Sequence, residues 1–359
     1  MRAGKAIRYM TSSPFFSIII PVYNGGSTFR RCLDSVRHST FTDWELIVVD
    51  DGSADGSYEV ARKFGAITLE TSGRLGPAAA RNSGARLATG NYIYFVDADC
   101  ELHPDTLANI AQIFTEDPKL DALFGSYDDE PGAANFVAQY KNLFHHYVHQ
   151  NSGTEAVTFW TGCGAIKRTR FLTLGGFDLQ RYQRPSIEDI ELGYRLKQKG
   201  GRVRLAKHVQ VKHLKAWTLA SLLKSDIFDR GIPWTRLILR DRAFLSDLNL
   251  QTHNRVSVVT IYGLLAALIA TLFQPQGILI ALGLALLLLW LNLPLYSFFY
   301  HKRGFLFALR VIPMHWLYYL YNAVSFGCGL LLYWRDKLKT ETVVSPKPLL
   351  DVTETDGNG

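Results

Sequence analysis

Up to about residue 213 the chain alternates short apolar runs with amphipathic stretches. Phe16 to Asn24, Glu45 to Ser53, Ala66 to Leu69, Asn91 to Asp99, Ala122 to Tyr127 and Val209 to His213 read as strands. The first two and the Asn91 run are apolar throughout, the pattern of strands covered on both faces of a sheet. Between them, Ser27 to His38 with Phe29, Leu33 and Val36 on one side, Pro77 to Leu87, and 104 to 116 read as helices. Ser27 is placed to cap the first, Asp55 to begin the helix after the second strand, and Ser186, with acids following, to cap one that carries Ile187, Ile190 and Tyr194 on one side. Strand and helix in alternation predict a mostly parallel α/β sheet flanked by helices.

The pattern then changes. Val256 to Tyr300 contains no Asp, Glu, Lys or Arg. Val256 to Phe273 and Ile278 to Phe298 are each near the ~20 apolar residues that span a bilayer, with Gln274 to Gly277 as the turn between them. A third run, Val311 to Trp334, is interrupted by Pro313, His315 and Gly327, so two or three transmembrane helices are expected. Arg240, Arg242 and Arg255 precede the first span and His301-Lys302-Arg303 follow the second. The excess of positive charge on internal loops then puts the catalytic domain in the cytoplasm, on a multi-pass inner-membrane protein. Leu214 to Leu239 interleaves Trp217, Leu222, Phe228 and Trp234 with Lys224, Arg230 and Arg236, the composition of helices lying in the headgroup layer. The expected divisions are a disordered 1–13, a catalytic domain 14–213, interfacial helices 214–255, a membrane region 256–334 and a polar tail 335–359.

Composition adds little. Of 359 residues 48% are hydrophobic and 20% charged, and the net charge of +7 suits an anionic substrate or membrane surface. No basic stripe with interleaved aromatics is present, so nucleic acid is not an expected partner. The four cysteines show no paired spacing and read as reduced, packed thiols.

The candidate chemistry sits where the strands end. Asp97 and Asp99 are two apart after an apolar strand, so both can project from one side of its carboxyl end, the edge where open α/β sheets bind ligands. Adjacent carboxylates need a cation or donors nearby, and a divalent metal on a diphosphate would supply one. A turn and a helix cap near Pro104 would also use them. Glu188-Asp189 stand in the first turn of a helix, where the dipole favours their charged forms and one could act as general base. Phe159 to Ala165 combines Trp160 with Gly162 and Gly164, a loop that lets backbone approach a ligand and Trp160 stack on it. His145 and His149 would fall four apart on one helix face, a possible metal pair, but with His146 they read better as a partly exposed cluster on a lid or interfacial helix, and His213 ends a strand as a candidate metal ligand.

In order, Ser17-Ile18-Ile19-Ile20-Pro21-Val22-Tyr23-Asn24, Val49-Asp50-Asp51-Gly52-Ser53, Ala80-Arg81-Asn82-Ser83-Gly84, Asp97-Ala98-Asp99, Gly175-Gly176-Phe177-Asp178 and Glu188-Asp189 ahead of Arg195-Leu196 resemble the inverting family 2 glycosyltransferases of the GT-A (Rossmann-like) fold. The resemblance covers roughly residues 16 to 215. It implies that Pro21, Tyr23, Asn24, Asp51, Arg81 and Asp97 bind the donor nucleotide, and that Asp99 and His213 hold Mg²⁺ or Mn²⁺. It further implies Asp189 as the base with Glu188 supporting it, and Trp160, Gly162 and Arg195 at the acceptor. The donor would be a nucleotide sugar, a UDP-sugar before a GDP-sugar, and the acceptor a hydroxyl or phosphate, lipid-linked (a polyprenyl phosphate or glycolipid) or on a glycan, at the membrane. The Q-x-x-R-W motif of processive synthases is absent; Arg230-Gly231-Ile232-Pro233-Trp234 comes nearest, which favours transfer of one sugar. The competing readings are a sugar-nucleotide-binding part of a polysaccharide export or transport system, and a nucleotidyltransferase.

Overall fold

A computed structural model describes residues 13–182, 184–241 and 252–338. The expectations for residues 1–12, for the tail from 339 and for part of the interfacial segment lie outside them. β1 (Phe16–Val22), α1 (Gly26–Arg37), β2 (Trp44–Asp50), α2 (Ser57–Phe64), β3 (Ile67–Glu70), α3 (Pro77–Leu87) and β4 (Tyr92–Val96) alternate as the sequence pattern requires. β5 (Cys100–Leu102), α4 (Thr106–Glu116), β6 (Ala122–Tyr127), α5 (Phe136–Asn151), β7 (Glu155–Ala156), β8 (Cys163–Lys167), α6 (Arg168–Thr173), α7 (Glu188–Gln198) and β9 (Val203–His213) complete the sheet region.

Among the described residues the sheet has nine strands in the order β3-β2-β1-β4-β8-β6-β9-β5, with β7 also on β9. β3, β2, β1 and β4 are parallel, and β6 and β9 run in the same sense. β8, β5 and β7 run against their neighbours. β1 and β6 are buried along their whole length and β4 from Ile93 onward, as continuous apolar runs require. Carboxyl ends of β1, β2, β4 and β9 therefore gather on one edge.

Three local expectations change. The Gly-rich segment read as a loop supplies a strand, β8, in the middle of the sheet, while Phe159 to Gly162 folds back over it. α1 starts at Gly26 rather than at a Ser27 cap, because Asn24 and Gly26 take positive φ (50° and 53°) to make the turn. Ile187, not Ser186, is the N-cap residue of α7, and the Ser186 hydroxyl donates to the Asp229 carbonyl (2.8 Å).

Beyond the sheet come α8 (Leu219–Lys224), a π-helical turn over Ser225–Gly231, α9 (Ile232–Asp241), α10 (Thr252–Ala270), α11 (Gly277–Leu291), α12 (Leu293–Arg303) and α13 (Phe305–Leu338). One described helix, α10, is long and apolar enough to cross a bilayer. α11 and α12 meet that test only together and are bent by 61°, so the continuous span expected over 278–298 is broken at Asn292. α13 runs for 34 residues through Pro313 without interruption and is not among the qualifying helices.

Candidate active site

The strand ends and the start of α7 line one cleft of about 530 Å³, in which Pro21, Tyr23, Asn24, Asp51, Arg81, Asp97, Asp99, Glu188, Asp189 and His213 all take part. Asp51 follows β2, and its carboxylate accepts from the Leu75 N–H (2.8 Å), the Gly76 N–H (2.7 Å) and the Thr71 hydroxyl (2.9 Å). These donors hold the 71–76 loop as the cleft's wall. Asn24 pins the opposite loop by accepting from the Ala54 N–H (2.8 Å). Tyr23 stays exposed beneath the Arg74 guanidinium, 4.2 Å from its ring centre.

His213 reaches Asp99 because β5 reverses the chain straight after β4. Cys100 then sits opposite His213 in the antiparallel pair, and Asp99 Oδ2 lies 3.6 Å from His213 Nε2. Nδ1 of the same ring lies 2.7 Å from Asn142 Oδ1, and Tyr127 stacks on the ring at 4.2 Å. With Nδ1–H donating to Asn142, Nε2 is turned towards the carboxylate, where it can pair with Asp99 or, with a cation between them, offer its lone pair to the cation as metal-ligating histidines do. Burial opposes ionisation of Asp99, but His213 and Lys215 hold its carboxyl below the usual range. Cys100 completes the only described group of three possible ligands. Burial raises its thiol well above the ordinary value, so it offers no hard ligand. Asp99 and His213 thus fit a hard divalent cation that shares its remaining positions with phosphate oxygens.

Across the cleft, α3 presses on β1 and β2 at Gly84, where a Cβ would meet Ile19 at 2.8 Å. One turn earlier, Arg81 donates to Asp97 Oδ1 (2.6 Å) and to Glu188 Oε1 (3.0 Å). Only 5% of the Arg81 side chain is exposed. Glu188 also accepts from the Ser186 N–H (2.9 Å). Asp189 Oδ2 accepts from the Thr161 N–H (3.1 Å), and Oδ1 from the Ile190 N–H (2.8 Å). Gly193, one turn further on, makes this possible: a Cβ there would lie 2.4 Å from the Phe159 nitrogen. Burial pushes the Asp189 carboxyl above its usual range, opposed by the Thr161 N–H and the Arg81 charge. Glu188 is raised for the same reason, with Arg81 opposing.

Residues 17–174 match the family model "Glycosyl transferase family 2". The chain carries a family 2 glycosyltransferase domain. It is 38% identical over 112 residues to the uncharacterized glycosyltransferase YibD of Escherichia coli, covering 30% of this chain and 33% of that protein. It is 36% identical over 120 residues to a PGL/p-HBAD biosynthesis glycosyltransferase of Mycobacterium bovis, covering 32% of this chain and 47% of that one. The chain therefore spans a third to a half of these relatives. The mannosyltransferase PcManGT of Pyrobaculum calidifontis, solved with GDP-Man and Mn²⁺, shares the fold with a TM-score of 0.52 and 20% identity over 91% of this chain and 89% of that one.

Within the glycosyltransferase domain, several expected acceptor residues do other work. Arg195 is no part of the cleft: its guanidinium donates to Glu191 (2.8 Å) and to the carbonyls of Leu174 and Gly176 (2.6 Å each), clamping the Gly175-Gly176 turn. Gly162 makes room for Trp160, whose indole a Cβ would meet at 2.3 Å. Trp160 itself does line the cleft. Arg81, expected at the nucleotide, is held by two carboxylates. His146 and His149 are buried and His145 half-buried on α5, not a partly exposed lid.

Sequence reasoning missed Arg230. It lies on the π-helical turn, lines the cleft and has no ion pair or hydrogen bond among the described residues. Its place among the basic residues of the 214–239 segment and in the stretch nearest the processive motif gives no sign of this, because absence of a partner is a three-dimensional property.

Proposed function

We propose that the chain moves one sugar from a nucleoside-diphosphate sugar to a hydroxyl of a membrane-held, lipid-linked acceptor, inverting the anomeric carbon. The observation that carries this reading is that Asp99 and His213 line the same cleft as Asp189. Pro21, Tyr23, Asn24 and Asp51 border the nucleotide, with Asp51 accepting from a uracil or guanine N–H, and Asp97 faces the ribose. A divalent cation held by Asp99 and His213, such as the Mn²⁺ in PcManGT, would neutralise the leaving diphosphate as a Lewis acid. Asp189 takes the acceptor proton. Its two backbone donors fix the carboxylate's orientation, and its raised pKa makes it a stronger base than an exposed aspartate. Arg81 compensates Glu188 and Asp97, so that acids can crowd the cleft without repelling the donor.

The C-terminal helices hold the enzyme at a bilayer. α10 and α11 form an apolar hairpin with exposed Ile269, Leu272, Phe273, Leu279 and Ile280 near its tip. Its returning end docks on the catalytic half, where Lys302 pairs with Asp129 and Arg303 donates to Gln139 (2.8 Å). Both ends thus share the catalytic, cytoplasmic side, in keeping with the basic flanks. α13 does not cross. Phe307 packs on Phe136 near its start, Tyr321 donates to Asp226 at its middle, and Asp336 pairs with Arg236 near its end. A helix fixed along its length to catalytic-side elements lies on the membrane surface.

The deciding experiment is a donor screen. Purified protein in detergent with Mn²⁺ and a lipid extract is offered a panel of nucleotide sugars, and released diphosphate is measured. One donor should turn over and Asp189→Asn should not turn it over; release that survives this substitution removes Asp189 from the role.

A further inference from the structure

A second cavity, of about 520 Å³, opens from the donor cleft and shares Trp160, Ser186, Asp189 and Arg230 with it. It runs between the catalytic domain and the C-terminal helices. Most of its wall is apolar, with Phe144, Val148 and Ile190 on one side and Val258, Ala323 and Phe326 on the other. One region is not. His145 and His149, one turn apart on α5, line it with ring centres 4.7 Å from each other and 5.7 and 5.3 Å from Trp160. Nδ1 of each ring is buried with no hydrogen-bond partner among the described residues, and His149 is only 3% exposed. The Thr158 hydroxyl in the same wall is likewise unpartnered at 2% exposure.

Other buried histidines are satisfied. His146 Nδ1 lies 2.7 Å from the Tyr127 carbonyl, and His315 contacts the Tyr140 and Tyr319 hydroxyls at 2.9 and 3.0 Å. An unpaired buried polar group costs about 1–3 kcal/mol, so unpartnered side chains gathered in one cavity wall mark a place where a ligand, with a small turn of those side chains, can supply the partners.

We propose that this cavity is the acceptor subsite for a neutral, hydroxyl-rich head group, a sugar, carried on an apolar tail. The inference rests on the glycosyltransferase reading and deepens it. Hydroxyls both donate and accept, as neutral imidazoles do, and burial keeps both rings neutral, with His149 pushed down to about 3. Against an anionic head, Asp189 and Asp226 line the cavity and Lys141 is already tied to Asp226 (2.6 and 2.9 Å); of the other lining cations, Arg230 stands where the cavity meets the donor cleft and Arg255 lies on α10. The head's nucleophilic hydroxyl meets Asp189 while its other hydroxyls meet His145, His149 and Thr158, and the tail leaves between α10 and α13. The substrate is then a lipid that already bears a sugar, so the reaction supplying it is an earlier glycosyl transfer.

The test uses the full chain in amine-oxide micelles. Binding of decyl maltoside, decyl phosphate and decanol is compared by calorimetric titration, with Mn²⁺-dependent nucleotide binding measured in parallel. The maltoside should bind most tightly. H145F/H149F should weaken it about tenfold, the loss expected for two neutral hydrogen bonds, leaving nucleotide affinity unchanged; H145Q/H149Q should retain it. Tightest binding of decyl phosphate, no binding of any probe, or maltoside binding indifferent to H145F/H149F overturns the proposal. If the Phe variant fails to fold, the wild-type ranking decides. Intact nucleotide binding in any of these cases leaves the glycosyltransferase reading standing.

Discussion

Arg81 is the cation on which the acidic side of the cleft depends, and Arg81→Met tests this. The substitution keeps the apolar stem and removes both hydrogen bonds, to Asp97 at 2.6 Å and Glu188 at 3.0 Å. Glu188 is 6% exposed and would retain only the Ser186 N–H; Asp97 is 33% exposed, so water takes over part of its loss. Breaking a buried pair from one side costs about 3–5 kcal/mol, and the accessible Asp97 places this case near the lower end. The cost depends on pH. Burial already raises Glu188 and Asp189, with Arg81 opposing. Groups with raised folded pKa values contribute stability that is complete below their unfolded values and disappears as pH rises through the folded ones. Without Arg81 those values rise further, so the loss should be near 3 kcal/mol at pH 8, about 1.4 kcal/mol for each unit of displacement, and smaller at pH 5. Urea unfolding in detergent of wild type, R81M and R81M/E188Q at both pH values measures it. The double variant should regain more than half of the pH 8 loss. A loss equal at both pH values and untouched by E188Q would mean that Arg81 acts by packing against Phe177, and the electrostatic account would be wrong.

Transfer by the wild type should rise with pH through an apparent pKa above the ordinary carboxylate value, reporting deprotonation of Asp189; a profile flat from pH 5 to 8 would contradict this. D99A and H213A should each weaken Mn²⁺-dependent nucleotide binding by tenfold or more, about the effect of losing one ligand-shell residue, and unchanged Mn²⁺ titrations would remove them as ligands. Gly162→Ala should displace Trp160, raising the acceptor KM while nucleotide affinity holds, at a stability cost of about 1–3 kcal/mol; an unchanged acceptor KM would mean the indole does not shape that subsite. A cysteine at exposed Lys337, in a background lacking Cys328, should react with an impermeant maleimide from the catalytic side of sealed vesicles. Labelling only from the opposite side would mean that α13 crosses.

The parts legible in the sequence are those encoded locally. The apolar runs of β1, β2 and β4, the acids that end β2 and β4, and Glu188-Asp189 at a helix start are all statements about neighbours in the chain. Features set by distant packing were hidden. β8 is five residues with one glycine just before it and another inside it, and a strand that short reads as a loop until its neighbours on both sides are known. Arg195 looked available because nothing local shows that two carbonyls of the 174–176 turn occupy it. The bend at Asn292 has a local cause that an apolar-run reading passed over: Pro294, in the first turn of α12, has no N–H to continue α11. Tertiary contacts then hold it, the Asn292 amide donating to the Leu288 carbonyl (2.9 Å) and its oxygen accepting from the Tyr319 hydroxyl of α13 (2.6 Å).

The join between the sheet domain and the C-terminal helices ties the second cavity to both. Lys141 of α5, Asp226 of the π-helical turn and Tyr321 of α13 form one buried cluster, with Lys141–Asp226 at 2.6 Å and Tyr321–Asp226 at 2.7 Å. Burial lowers the Lys141 ammonium from its ordinary value, partly opposed by Asp226. π-Helical turns recur at functional sites because the wider turn re-aims side chains, and this one carries Arg230 into the cleft. Gly231, at its end, has no room for a Cβ beside Ser325 of α13 (2.7 Å). The Arg230 guanidinium at the donor cleft and the wall of the second cavity are thereby fixed to α13. On the proposed reading a movement of that helix would shift the acceptor and nucleotide sides together.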